Sequence, residues 1–212
     1  MKDWKPTLPP FRKYKKEAFK SVIAVSDFIY QIGEFPALRM PSKPVDISKL
    51  KTPEYLAKIK YMKSCLKKYR KLTGKGRAIA AVQLGFPEEM IVVYNPEIKG
   101  ETFMLINPVI TKKSKELLKY PEMCMSATPL IAPVIRPAWV EVKYYDENGQ
   151  KQKWNTKANT DKGRMYNRIL QHEIDHLPGF ICIDRVSSRD IILESDPTFY
   201  KNAKFEKVDN LF

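Results

Sequence analysis

The sequence has few of the features that stabilise secreted or membrane-spanning proteins. Its 212 residues include only three cysteines, too few and too unevenly spaced for a disulfide framework, so a reducing cytosol is the expected environment. No apolar run approaches the roughly 18 residues that cross a bilayer, and neither a signal peptide nor a transit peptide is expected. The composition therefore argues against membrane, secreted and fibrous proteins. With 43% hydrophobic residues, the chain can bury the core of a cytoplasmic globular domain.

Acidic residues are scarce only in the first third of the chain. Residues 1–77 contain 20 lysines and arginines against 6 acidic residues, whereas residues 78–212 contain 18 of each. The whole net charge of +14 therefore lies in the first third. Such an asymmetry favours an anionic partner such as nucleic acid, a ribosome or an anionic membrane surface, and a solvated lysine-rich surface explains it equally well.

Two helices are predicted before residue 80. One covers residues 12–30, after several early prolines, and further prolines indicate a loop or edge strand at residues 35–51. Thr52 and Pro53 then have the sequence of a helix N-terminus. The apolar side chains of this second helix recur three and four positions apart and are expected to face the core: Leu56, Ile59, Met62, Leu66 and Tyr69.

The later part of the chain is dominated by strand patterns. Short apolar or alternating runs predict three strands, at residues 90–94, 103–106 and 139–145. Asn148-Gly149 predicts a two-residue hairpin turn, after which residues 150–154 return as a further strand. A helix is predicted at residues 165–177, ending near Pro178-Gly179. The pattern is that of an α+β protein with a mostly antiparallel sheet and a few helices.

The strongest chemical signal lies in the last predicted helix. The chain has only two histidines, His172 and His176, and they are four residues apart. On a helix this spacing places both imidazoles on one face, where they can bind a single metal ion. Glu173 is then close enough to take a proton from a water molecule that the metal activates, as the HExxH signature implies. The sequence therefore predicts a metal site on this helix.

A catalytic metal usually has three protein ligands, and the residues leave three alternatives for the third. Cys182 lies in the apolar, strand-like run FICID, where a small buried residue is expected. Glu194 would supply the downstream carboxylate of a zinc protease. Cys124 lies between two strand-like segments, among small and turn-forming residues that suit a site loop. The spacing favours Cys124 only modestly.

Three segments resemble the signature motifs of the peptide deformylase family: GRAIAAVQLG (76–85), EMCMS (122–126) and QHEIDHLPG (171–179). They occur in the family's order, and the resemblance extends over about residues 35–185. It implies mostly antiparallel β-sheets around a central helix that carries the HExxH motif. The region that it covers is then a catalytic domain (35–186), and outside it lie a basic N-terminal extension (1–34) and a C-terminal tail expected to pack on that domain (187–212).

The resemblance further implies a role for each motif residue. The metal ligands are then Cys124, His172 and His176. Glu173 becomes the general acid and base, while the Gln83 side chain and the N–H of Met125 become donors to an oxyanion. A thiolate ligand is soft, so Fe²⁺ is the expected metal, as the family implies, with Ni²⁺, Co²⁺ or Zn²⁺ as alternatives.

Several residues depart from the family pattern. Ala78 and Met123 stand where the motifs have glycine, so their side chains could narrow the cleft. Alternatively, Met123 and Met125 form an apolar wall for a methionine side chain. The residues predicted to contact the substrate are Ala78, Met123, Glu122 and Arg136. A surface ion pair explains Arg136 equally well.

Three functions follow from these observations. The first is a deformylase that acts on formyl-methionyl nascent peptides and stays near the ribosome through basic residues 1–77. The second is an HExxH metalloprotease with Glu194 as third ligand. The third is a ribosome-binding or RNA-binding protein with a vestigial metal site, although the chain has no aromatic-plus-glycine RNA-binding signature. Neither a membrane nor DNA is an expected partner.

Overall fold

The structure, a computed structural model, describes residues 22–23, 27–34, 36–98, 101–193 and 202–208. Within these residues the α-helices α1 (Pro53–Thr73) and α2 (Asp161–His176) pack with two antiparallel sheets. The predicted α+β class, with antiparallel sheets and few helices, is therefore confirmed. In the described part of the chain, no helix is long and apolar enough to cross a membrane.

The first sheet has five strands. They are β1 (Ala78–Ala80), β2 (Met90–Tyr94), β3 (Thr102–Lys113), β6 (Val140–Tyr145) and β7 (Lys151–Asn155). Their order is β1-β2-β3-β6-β7, and all neighbours are antiparallel. The strand predicted at residues 90–94 is confirmed at both ends. The strand predicted at 103–106 is longer, because β3 continues past its apolar residues to pair with β6.

Strand β2 is buried on both faces of the first sheet, which explains its unbroken apolar run. Met90 and Val92 belong to the core cluster that contains the buried side of α1. Ile91 and Val93 belong to the cluster that contains α2. Successive side chains of a strand point to opposite faces, so a strand covered on both sides is apolar at every position.

The second sheet has four strands in the described residues. They are β4 (Leu117–Met123), β5 (Leu130–Pro137), β8 (Ile192–Leu193) and β9 (Glu206–Val208). Their order is β8-β5-β4-β9. Two short strands from later in the chain therefore pair with the β4–β5 hairpin, in which the EMCMS motif spans the end of β4 and the start of the connecting loop.

Helix α1 begins where the sequence predicts. Thr52 is its N-cap and Pro53 occupies its first turn. Four of the five predicted core residues are buried: Ile59, Met62, Leu66 and Tyr69. The prediction for Leu56 is wrong, since its side chain is 53% exposed. Tyr55 takes the buried position in that turn, where its hydroxyl donates to Glu88 at 2.8 Å.

Helix α2 begins four residues before its predicted start. The side chain of Thr160 caps it by accepting the N–H of Gly163 at 3.0 Å. The helix contacts both sheets. Leu170 packs in the core cluster of the first sheet, and the side chain of Arg168 donates to backbone carbonyl groups of β4 and β5.

The predicted hairpin of β6 and β7 is confirmed, but its predicted two-residue turn is wrong. The strands pair as far as Tyr145 and Lys151, so residues 146–150 form the loop. A type I′ turn needs positive φ at both central residues, and in this loop only Gly149 has one, 78°. The carboxylate of Asp146 instead accepts backbone N–H groups within the loop and closes the longer turn.

The helix predicted at residues 12–30 falls largely outside the described residues, which omit 1–21 and 24–26. Residues 22–23 are helical, but residues 27–30 are not, so the helix does not extend to Tyr30 as predicted. Ile29 is fully buried among residues of the α1 core cluster. The described residues of the proline-rich stretch form two 3₁₀ turns, Pro36–Arg39 and Ile47–Lys49, joined by loops and one isolated bridge.

Candidate active site

The three polar residues of the HExxH motif lie together near the end of α2. The ring centroids of His172 and His176 are 5.2 Å apart, as the four-residue spacing predicts. His176 is fully buried and Glu173 is 5% exposed. Burial lowers the pKa of His176 well below its ordinary value. Its imidazole is therefore neutral, which is the form that binds a metal ion.

Cys124 joins the two histidines. It directly follows β4, and its Sγ lies 3.4 Å from Nε2 of His176. One potential ligand atom from each of Cys124, His172 and His176 lies within 4.8 Å of the other two, and all three residues are buried. The fold therefore assembles three donor atoms from two elements that are about 50 residues apart in the sequence.

The two alternative third ligands differ from Cys124 in position. Cys182 is buried, as predicted, but it does not belong to this group of donors. Its run is not a strand but a 3₁₀ turn, Cys182–Arg185, because the carboxylate of Asp184 accepts the N–H of Ile181 at 2.7 Å. Glu194 lies outside the described residues.

The donor set fits a divalent metal ion. A thiolate and two imidazoles are ligands that iron, zinc, nickel and cobalt share. Burial raises the pKa of the Cys124 thiol well above its ordinary value, so the thiolate requires a cation beside it. Oε2 of Glu173 is buried and has no hydrogen-bond partner in the described residues, so an unused acceptor lies in the same cluster.

A buried carboxylate orients one of these histidines. Glu122, near the end of β4, accepts hydrogen bonds from Arg136 (2.7 and 2.9 Å), Arg168 (2.6 Å) and Nδ1 of His172 (2.9 Å). Burial alone would raise the pKa of Glu122, but Arg136 and His172 hold it well below its ordinary value. The bond to Nδ1 leaves Nε2 of His172 as the ligand atom.

Two arginines complete this charge network, and they differ in how well the sequence identified them. Arg136 was predicted to contact the substrate, but the structure places it behind Glu122, where it also pairs with Asp175 at 2.7 Å. Arg168 was missed, although it lies four residues before His172 and therefore on the same helix face. That spacing was the available signal, and the partner carboxylate 46 residues away was not visible in the sequence.

Gln83 reaches the same site from a different element. It lies in the 3₁₀ turn Ala81–Leu84 that follows β1. Its Oε1 accepts the N–H of Ala80 at 2.8 Å, which directs its amide NH₂ group towards the loop after β4. There Nε2 lies 3.1 Å from Oγ of Ser126 and 3.5 Å from Sγ of Cys124. The structure therefore brings Gln83 beside the predicted ligands.

A cleft of about 390 Å³ opens beside His172 and Glu173. Three of the four predicted substrate contacts line it, namely Ala78, Glu122 and Met123, and Arg136 does not. Apolar side chains form most of the remaining wall: Tyr69, Tyr120, Met125, Met165 and Ile169. The cleft therefore combines an apolar interior with polar groups that converge at the histidines.

The fold and these side chains define a class of protein. It is an α+β protein with two antiparallel sheets and an HExxH helix, on which two histidines meet a cysteine from a strand-following loop. The particular family follows from the sequence as a whole. The model of the family described as polypeptide deformylase matches residues 28–191. The chain therefore belongs to the polypeptide deformylase family, and the resemblance found in the three motifs is confirmed.

Individual relatives agree with this assignment. The peptide deformylase of Prochlorococcus marinus strain MIT 9312 is 36% identical over 118 residues, which are 55% of this chain and 56% of that protein. The matched region thus spans little more than half the length of this curated relative. The structure of a peptide deformylase from Synechococcus elongatus in complex with actinonin has a TM-score of 0.62 at 30% identity, covering 76% of this chain and 80% of that one. The actinonin-bound class I type b enzyme from Acinetobacter baumannii has a TM-score of 0.61 at 25% identity, covering 75% of this chain and 97% of that one.

Proposed function

We propose that this protein is a metal-dependent hydrolase that removes the formyl group from the N-terminal formyl-methionine of newly made polypeptides and releases formate. The observation that carries this proposal is the buried group of Cys124, His172 and His176, with Glu173 on the same helix. Membership of the polypeptide deformylase family supports the same activity. So does the likeness to two deformylase structures that contain actinonin.

The three donors would hold one divalent cation. When bound, the cation supplies Lewis-acid chemistry, because it acidifies water and polarises a carbonyl group. We assign Fe²⁺ because a thiolate is a soft ligand, and Ni²⁺, Co²⁺ and Zn²⁺ fit the same donors. The hydrogen bond from His172 to Glu122 keeps one ring in the orientation that this role requires.

Glu173 acts as general base and then as general acid. Burial raises the pKa of Glu173 to about 7, and proton transfer is most efficient when the pKa of the group lies near the working pH. The carboxylate takes a proton from the attacking water and later delivers it to the departing amine. We assign the transfer to Oε2, the oxygen without a hydrogen-bond partner in the described residues.

Gln83 and Met125 stabilise the charge that develops on the formyl oxygen. As the formyl carbon becomes tetrahedral, this oxygen gains negative charge, and preorganised N–H donors lower the barrier. Nε2 of Gln83 is held 3.5 Å from Sγ of Cys124 by the bond that its Oε1 accepts. The backbone N–H of Met125, the residue after Cys124, is the second donor. Loss of one such donor typically costs on the order of 10²–10³ in rate.

The substrate lies in the cleft beside His172. Met123 and Met125 provide a flexible apolar wall that suits a methionine side chain, and Ala78 and Glu122 complete the contact surface. In this arrangement α2 is the central helix, since it contacts both sheets. We assign residues 35–186 to the catalytic domain, 1–34 to a basic extension and 187–212 to a tail packed on the domain.

Basic residues 1–77 would keep the enzyme near ribosomal RNA in the cytoplasm. Support comes from the charge of this region and from exposed lysines of α1 such as Lys60, Lys67 and Lys71. Co-sedimentation with ribosomes at increasing salt measures the association, because neutralising phosphates makes binding salt-dependent. Glutamate at these three lysines should weaken it, and unchanged binding would contradict this part of the proposal.

A formate-release assay tests the activity. Purified protein, kept anaerobic with iron or loaded with nickel or cobalt, should release formate from a short formyl-Met peptide. Glu173→Gln should abolish turnover while metal analysis finds the same metal content. Full activity in this variant would show that the mechanism is wrong.

Cys124→Ser separates the deformylase from the alternative HExxH metalloprotease that would use Glu194. If Cys124 is a ligand, the variant should bind less metal or prefer a different one. Unaltered metal content and preference, together with cleavage of unformylated peptides, would favour the protease. The 3.4 Å separation between Cys124 and His176 supports the first outcome.

A further inference from the structure

Residues 29–32, which precede the first motif, bridge two loops of the candidate active site. One loop follows β1 and carries Gln83, and the other follows β4 and carries Met125. The N–H of Tyr30 donates to the carbonyl of Gln83 at 2.9 Å, and the N–H of Ile32 donates to the carbonyl of Ser126 at 2.9 Å. Between them, Nε2 of Gln31 donates to the carbonyl of Met125 at 3.1 Å. Three consecutive residues are therefore bonded to both loops that carry the assigned oxyanion donors.

This segment is itself anchored in the core. Ile29 is fully buried in the cluster that contains α1. The side chain of Gln31 also donates to the carbonyl of Ile29 at 3.1 Å, so both of its contacts are made by the same amide nitrogen. This second bond fixes the orientation of the amide and ties the Met125 loop to the core.

The two loops need such a connection because, in the part of the chain that the structure describes, no strand pairing joins them. Gln83 follows β1 of the first sheet, whereas Met125 follows β4 of the second. Among the described residues, Nε2 of Gln83 links the loops directly, through Oγ of Ser126 and Sγ of Cys124. Both contacts use the amide nitrogen that would turn towards the substrate, so they do not by themselves keep the two loops at a fixed distance during a reaction.

We infer that Gln31 is a positioning residue that keeps the Met125 loop in register with Gln83. This inference rests on the proposed function, because it assigns to Gln31 the alignment of two donors to one oxyanion. Gln31 donates to the carbonyl oxygen of Met125, the residue that carries the assigned N–H donor, and so restrains the backbone on which that N–H is held. Its position outside the three motifs distinguishes it from the residues that the family resemblance identified.

The expected effect is on the chemical step rather than on substrate binding. A misplacement of about 1 Å at a reacting group can cost up to ~10²-fold in rate, and Gln31 acts through Met125, so we expect kcat to fall about 10-fold. KM should change by less than about 2-fold, because oxyanion donors act on the transition state.

Gln31→Met is the primary variant, since methionine has a similar length and no hydrogen-bond donor. Gln31→Glu is the second, because it keeps the shape and replaces the donating group by an acceptor. Gln152→Met is the matched control: it makes the same chemical change in the β6–β7 hairpin, where Gln152 donates to Asp146 at 3.0 Å. Each protein is assayed for formate release with its metal content and Tm measured in the same sample.

The outcomes separate the two proposals. If the wild-type protein and Gln152→Met release formate and both Gln31 variants have a lower kcat at equal metal content and similar KM, Gln31 is a positioning residue. If the Gln31 variants have a lower Tm than the wild type but the same kcat per bound metal, the side chain is only structural and the inference is overturned. If the metal-loaded wild-type protein releases no formate, the proposed function itself fails.

Discussion

Replacing Glu122 by glutamine tests whether the buried charges behind the site stabilise the fold. The carboxylate of Glu122 is shared by the guanidinium groups of Arg136 and Arg168. Glutamine keeps the shape of the side chain but removes its charge, so two buried cations lose their common partner. Arg136 retains Asp175, whereas the other hydrogen bonds that Arg168 makes in the described residues go to backbone carbonyl groups.

The magnitude follows from the charge left on Arg168. Removing one partner of a buried ion pair costs about 3–5 kcal/mol. In a protein of this size, each kcal/mol lowers Tm by about 2–4 °C. We therefore expect Glu122→Gln to melt about 6–20 °C below the wild type. A domain near the middle of the usual stability range of about 5–15 kcal/mol still folds after this loss.

Thermal melts followed by circular dichroism measure the effect, with Glu147→Gln as control. Glu147 forms a surface ion pair with Lys63, and their side chains are 39% and 29% exposed. Surface pairs contribute about 0–1 kcal/mol, so this control should melt close to the wild type. An equal decrease in Tm for Glu122→Gln and Glu147→Gln would refute this reasoning.

A double variant tests whether the unpaired charge on Arg168 causes this destabilisation. Adding Arg168→Met to Glu122→Gln removes the unpaired cation and replaces it by an apolar side chain, so the double variant should be more stable than Glu122→Gln alone. A double variant that melts lower than the single one would mean that the hydrogen bonds of Arg168 to the β4 and β5 carbonyl groups, together with its packing, outweigh the cost of its unpaired charge.

Two further substitutions and one thiol-labelling experiment test the surroundings of single residues. Gly163→Ala should lower Tm, although alanine normally favours a helix, because its Cβ would lie 2.2 Å from the carbonyl oxygen of Lys157. Phe205→Ala should cost at least ~1 kcal/mol in chemical denaturation, because Phe205 stacks on Tyr120 with ring centroids 4.5 Å apart. Cys65 should resist thiol reagents until the protein unfolds, because it is buried and burial raises its pKa; rapid labelling of the native protein would contradict this burial.

Local patterns in the sequence were sufficient to predict the features that depend only on neighbouring residues in the chain. Thr52 and Pro53 marked the start of α1, because capping involves only the first turn. The spacing of His172 and His176 placed both on one helix face for the same reason. The strand at residues 90–94 was predicted at both ends, since its apolar run stops where burial stops. In these cases the physical cause acts over a few residues.

Other features were decided by what packs against each element. Leu56 fits the apolar period of α1, yet it is exposed, because Tyr55 occupies the covered side of that turn. The hairpin after β6 contains Asn148-Gly149, but the bonds accepted by Asp146 favour a longer loop. In both cases the preference of a short sequence for one local structure is weak, and a few hydrogen bonds or one buried ring outweigh this preference.

The sequence by itself determined the paired histidines, the adjacent acid, the α+β class and the family to which the motifs belong. Only the tertiary structure decided that Cys124, and not Cys182, lies beside His176, because the distance between two loops depends on how both sheets pack on α2. The same packing joins Glu122 to Arg168 and Gln31 to the Met125 loop. These contacts link residues 46 and 94 positions apart, and no local periodicity records such pairs.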